Sequence, residues 1–147
     1  MRMINGKPAD ELRKRFIDAF VNKAGEYYRS AIRETRLCPE GMCYTGRLGE
    51  CLKEPEEIAF AEAMEYIRTR GKVCALRDMN RTGGTPVADR CGYPQRAVLL
   101  IDRSELEAVL SALPDDVYFF DDSFTWAAAL MREQGEGEKR RCLRCVN

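Results

Sequence analysis

Histidine is absent from the 147-residue chain. That excludes Ser-His and Cys-His nucleophile systems, removes the commonest general base near neutral pH, and leaves zinc without imidazole ligands. Long apolar runs are missing too. No stretch approaches the ~18 apolar residues of a membrane span, and the opening MRMINGKPADELRKRF has no apolar segment of the secretory kind. The expected location is therefore the cytoplasm, where thiols are normally kept reduced. An excess of either charge is also lacking. Lysine plus arginine and aspartate plus glutamate number 24 each, so no whole-molecule field draws the chain to nucleic acid or membrane. Repeats and low-complexity segments are not seen.

What is present describes one domain, residues 1–147. The composition is 45% hydrophobic and 33% charged, a pattern of salt-bridged helices around a core. A chain of this length buries about 68–70% of its unfolded surface without a staple. Residues 8–36 place Leu12, Phe16, Ala19, Phe20, Ala24, Tyr27, Tyr28, Ala31 and Ile32 at helical spacing, which predicts one long amphipathic helix closed by Cys38-Pro39. A second helix is predicted from Pro55 to Arg70, with Ile58, Ala61, Met64 and Ile67 on its buried stripe and Phe60 beside them.

KVCALRDM and AVLLID read as strands, separated by a Gly- and Pro-rich connection. Ser104 with Glu107 three places on reads as a capping box for a short helix ending at Pro114. VYFFD and FTWAAALMRE flank Asp122-Ser123 as a hairpin, and KRRCLRCV returns as a further strand. The fold class expected is α+β. Two N-terminal amphipathic helices pack together on one face of an antiparallel or mixed sheet of about five strands; the sheet ends in a β-meander, with one short helix between strands.

Seven cysteines, an odd number, cannot all pair within the chain. Cys38, Cys43 and Cys51 crowd one stretch, and Cys142 and Cys145 stand near the end. Without histidine, zinc needs four thiolates: Cys38, Cys43, Cys142 and Cys145, with Cys51 as an alternative ligand. On a strand, however, Cys142 and Cys145 point to opposite faces. A disulfide among Cys38, Cys43 and Cys51 is the second reading, and free thiols used as small hydrophobes the third and leading one. Cys142 and Cys145, among Arg140, Arg141 and Arg144, have the setting for a lowered thiol pKa.

Residues 68–103 carry eight basic side chains against three acidic ones, and 105–122 carry six acidic and none basic. Arg77, Arg81, Arg90 and Arg96, around RTGGTP, are the candidate anion-binding residues, although the lysine and spacing of a P-loop are lacking. Tyr118, Phe120, Phe124 and Trp126 make the hairpin aromatic and are the candidate partner-binding patch.

Asp116, Tyr118, Asp121, Phe124 and Trp126 spell D-x-Y-x-x-D-x-x-F-x-W. The stretch resembles the C-terminal hairpin of a family of small, uncharacterised bacterial proteins, in which the tryptophan is followed by threonine and a Thr-His-Glu triplet. Here Ala127 replaces the threonine and Met131-Arg132-Glu133 stands at the triplet. The resemblance implies an α+β fold and carries no activity. The reading that follows is a non-catalytic protein-binding or regulatory module without a cofactor, with homodimerisation through the hairpin or last strand as one route. A structural Cys₄ zinc protein and an anion or nucleic-acid binder are the alternatives.

Overall fold

The computed structural model describes residues 1–32, 46–79, 93–113, 116–132 and 140–147. Its strands are β1 (Arg2–Ile4), β2 (Glu56–Ile58), β3 (Val73–Arg77), β4 (Val98–Ile101), β5 (Val117–Phe120), β6 (Trp126–Arg132) and β7 (Arg140–Val146). They form one open sheet in the order β1-β4-β3-β5-β6-β7-β2, with every neighbouring pair antiparallel. The helices are α1 (Gly6–Phe20), α2 (Phe60–Arg68) and α3 (Leu106–Ala112), with a π-helical turn at Tyr28–Ile32 and 3₁₀ turns at Leu48–Cys51 and Arg103–Glu105. None is long and apolar enough to cross a membrane, among the described residues.

The α+β class stands, with an antiparallel sheet and the β5–β6–β7 meander. Seven strands replace the five expected, because β1 and β2 extend the two edges. The period-2 geometry of the central strands sorts their side chains into two cores. Cys74, Leu76, Tyr118, Phe120, Ala127 and Ala129 pack with Phe16, Ile17 and Phe20 of α1 on one face. Val73, Ala75, Val117, Phe119, Trp126 and Ala128 pack with Met64 and Ile67 of α2 and Val109 and Leu110 of α3 on the other. Fully burying a side chain such as Phe119 contributes about 1.5–3 kcal/mol. The predicted helices thus cover opposite faces, and do not share one.

The long first helix also ends early. Val21 is extended and bridges Leu52. Lys53 N donates to Phe20 O at 2.8 Å and Asn22 N to Cys51 O at 2.8 Å. These bonds satisfy backbone groups that a continuing helix would have paired internally. The second helix starts at Phe60, five residues after Pro55, since Glu56–Ile58 pair with Cys142–Arg144. Arg144 bridges Glu56 at 2.8 Å and fixes that edge. The capping box lies two residues before the expected Ser104: Glu105 accepts from Asp102 N at 3.2 Å.

Candidate functional site

Charged side chains leave water only when paired and hydrogen-bonded. Arg13, Arg77, Asp78 and Asp116 are 1%, 2%, 3% and 9% exposed. They gather where β3 ends and β5 begins, at the point where Asp78 N donates to Asp116 O at 2.9 Å. Arg47 forks onto Asp116, with Nε to Oδ2 at 2.8 Å and Nη2 to Oδ1 at 3.2 Å, and Arg132 N donates to Oδ1 at 2.7 Å. Asp78 Oδ2 accepts from Leu48 N at 3.1 Å and from the Tyr118 hydroxyl, whose oxygen in turn accepts from Gly49 N at 2.9 Å.

On the other side of the cluster, Arg13 donates to Arg77 O at 3.0 Å and to Gln95 O at 3.4 Å. Arg77 donates to Tyr93 O at 2.7 Å, and Gln95 Nε2 to Asp78 O at 2.9 Å. Carbonyls and carboxylates here answer donors from the chain itself. The chemistry is that of an anchor, which ties Arg47–Cys51 and Tyr93–Gln95 to the end of the sheet.

Two of the four candidate anion-binding arginines, Arg77 and Arg96, lie among the described residues. Arg77 is buried and directed at a carbonyl, while Arg96 is exposed and bridges Asp10 at 2.9 Å. Arg81 and Arg90 lie outside the described residues.

Cys142 belongs to the core beneath α2 and α3, and Cys145 to the core beneath α1. The odd spacing on β7 separates them across the sheet, so they do not form a ligand pair for one ion. Cys38 and Cys43 lie outside the described residues. Among the described residues no three His, Cys, Asp or Glu side chains form a group able to hold a metal. Cys51, Cys74, Cys142 and Cys145 are buried thiols outside any disulfide. Burial, with Asp78 and Glu50 nearby, pushes Cys51 up to about 12. Burial does the same to Cys74, helped by Asp122 and Asp121, and to Cys145, each to about 11. The lowered pKa expected for Cys145 among arginines is reversed, because the thiol faces the core.

The aromatic hairpin is corrected as well. Tyr118, Phe120, Phe124 and Trp126 are all buried, Trp126 to 2% exposure, and offer no surface patch. Phe120 and Tyr118 pack on Phe16 with ring centroids 5.3 and 5.8 Å apart. Trp126 meets Tyr66 edge-on at 5.6 Å and donates Nε1–H to Asp121 Oδ2 at 2.7 Å. Phe124 lies on Phe120 and under the Arg15 guanidinium at 4.2 Å. Helices on both faces absorb what a one-sided sheet would have exposed. Nor is the hairpin or last strand a free edge: β5 and β6 are interior, and β7 carries β2 along Cys142–Arg144.

Exposed apolar surface is found instead on α2. Phe60 is 44% exposed at its first turn. With Ala61 and Met64 it faces Leu110 and Ser111 of α3 across a groove of about 700 Å³, whose polar lining is Glu65, Arg68 and Glu107. Met64 and Leu110 are its buried floor. Arg68 and Glu107 form an ion pair between the two helices. A volume of this size lies within the ~300–1,000 Å³ common for binding clefts. The periodicity of α2 gave the signal without its meaning: Phe60 stands at i to Ala63, Met64 and Ile67 at i+3, i+4 and i+7, yet at the first turn it stays exposed while they are buried. No family model, curated protein or solved structure matches the chain.

Proposed function

We propose that the chain is a non-catalytic protein-binding module whose partner docks in the groove between α2 and α3. The observation that carries the reading is Phe60, a large aromatic left 44% exposed above the Met64 and Leu110 floor. Aromatic anchors beside a desolvated floor and a polar rim are the usual anatomy of binding hot spots. The buried charged cluster supports a non-catalytic role, since its groups are hydrogen-bonded to the chain that surrounds them.

The test places a photo-crosslinking phenylalanine analogue at position 60, and in a second sample at Glu26, an exposed position just before the Tyr28–Ile32 turn. Crosslinking is carried out in the source cells. Discrete adducts from position 60 that Leu110→Lys abolishes are expected. The same adducts from both positions would overturn the reading. Phe60→Ser is expected to leave the melting temperature within about 2 °C of the parent, as for other exposed substitutions.

A further inference from the structure

Resting on that docking reading, we infer that the occupant of the α2–α3 groove is a basic amphipathic helix of another chain.

Three features define the occupant. The first is shape. Both walls of the groove are helices, and the nine residues of α2 span about 13 Å at 1.5 Å per residue. That length matches two turns of a third helix laid between them, with apolar side chains at i, i+3 or i+4, and i+7 reaching Met64 and Leu110. An extended strand would add at a sheet edge, and the groove is lined by side chains of α2 and α3, not by the backbone of an edge strand.

The second is charge. Two carboxylates, Glu65 and Glu107, line the groove against one guanidinium, Arg68. Arg68 is already bridged to Glu107, while Glu65 is an exposed residue of the lining. Glu62, on the next turn, is 54% exposed although it reaches Arg144 at 3.5 Å. Taken together, α2 and α3 carry Glu62, Glu65 and Glu107 against Arg68. An approaching acidic helix would meet like charge over a groove that must be desolvated. A basic one finds its complement at the rim, which sets orientation and association rate.

The third feature is that the basic helix of this chain is already engaged. α1 holds Lys7, Arg13, Lys14 and Arg15, the richest basic content of the described helices, but its apolar face is already the core partner of Tyr118 and Phe120. Among the described residues no second amphipathic basic helix is left to offer, and the occupant inferred is a helix of a different protein.

The experiment uses the full chain and three labelled 14-residue probes, read by fluorescence anisotropy. One is an amphipathic Leu/Lys helix, one replaces every Lys with Glu, and one scrambles the Leu/Lys order. The Leu/Lys helix is expected to bind at least tenfold more tightly than the other two. Glu65→Lys should weaken it several-fold, and so should Phe60→Ser or, independently, Ala61→Arg. Equal binding of the Lys and Glu probes, weakened alike by Phe60→Ser, would overturn the basic occupant while leaving the groove reading intact. Lys-probe binding indifferent to Phe60→Ser and Ala61→Arg would overturn both, as the peptide would then sit on acid elsewhere. Preference for the scrambled probe would overturn the helical occupant.

Discussion

The Tyr118 hydroxyl donates to Asp78 across 40 residues of sequence, inside the core. The same hydroxyl oxygen receives Gly49 N–H, and the same carboxylate receives Leu48 N–H. Two neighbouring amides of the 3₁₀ turn are therefore held by two side chains, one on β5 and one just past the end of β3. Removing the hydroxyl by Tyr118→Phe leaves Gly49 N–H without this acceptor and Asp78 short of one donor. Hydrogen bonds to charged groups contribute roughly 1.5–3 kcal/mol. A loss of about 2 kcal/mol is expected, or roughly 4–8 °C in melting temperature for a chain of this size. Thermal unfolding followed by circular dichroism checks it, and an unchanged midpoint would remove the pair from the anchoring of the turn.

Close packing sets the next expectation. A methyl added at Gly49 would overlap the Met131 sulfur and lie 2.7 Å from its Cε. Met131 is fully buried, so its thioether has no solvent to swing into. Gly49→Ala is expected to cost about 1–3 kcal/mol by overpacking, and Met131→Ala about 2–5 kcal/mol by cavity formation. The double variant should cost less than the two added together, because the new methyl fills part of the space that the methionine leaves. Urea titration of the four proteins measures the coupling. Strict additivity would place the strain elsewhere.

How much of this was legible in the sequence depended on how local the cause was. β5, β6 and β7 are recognisable because alternation and an Asp-Ser turn encode them within a few residues. β2 is not: Pro55-Glu56-Glu57 has the chemistry of a helix start, and what makes it a strand is Arg144, 88 residues further on. The end of α1 was hidden in the same way, since helical spacing continues past Phe20 while the backbone of Cys51 and Lys53 captures it. Asp78, Asp116 and Arg13 look like ordinary surface charges in their local sequence. Most of their partners are 30 to 82 residues away, so burial is decided only once the sheet is assembled. The hairpin aromatics were misjudged for want of the second helical layer, α2 with α3, which makes both faces of β5 and β6 interior.

The thiols give the chain a signature at alkaline pH. In the unfolded chain a cysteine ionises near 8.5, whereas Cys51 is held to about 12 and Cys74 and Cys145 to about 11 in the fold. Between those limits the unfolded state has released protons that the native state still binds, so stability falls as pH rises. The contribution is complete below pH ~8 and lost through the folded values. Urea midpoints at pH 7, 8.5 and 10 should decrease in that order. Iodoacetamide at pH 8 should leave all four described thiols unmodified in the native protein and alkylate them in denaturant, as read by mass spectrometry. Rapid native labelling of Cys51 would contradict its burial.

Acid reports on the hairpin turn. Burial alone would raise Asp121, yet bonds from Ser123 and from Trp126 Nε1–H outweigh it and hold the carboxyl below its usual range. A depressed carboxyl stabilises the fold above its unfolded value near 3.9 and loses that contribution as pH falls through the lower folded value. Asp121→Asn keeps an acceptor for Trp126 but removes the charge, so it should destabilise the protein at pH 7 by on the order of 1 kcal/mol. The difference between variant and parent should shrink as pH falls through the depressed folded value. The turn also holds Phe124 at a φ of 52°, a left-handed conformation in a non-glycine residue, with Phe124 N donating to Asp121 O at 3.1 Å. Trp126 fluorescence, whose indole bonds directly to Asp121, follows the transition in both proteins. A gap between them that persists unchanged as pH falls through that value would show that the carboxylate charge is not what secures the turn.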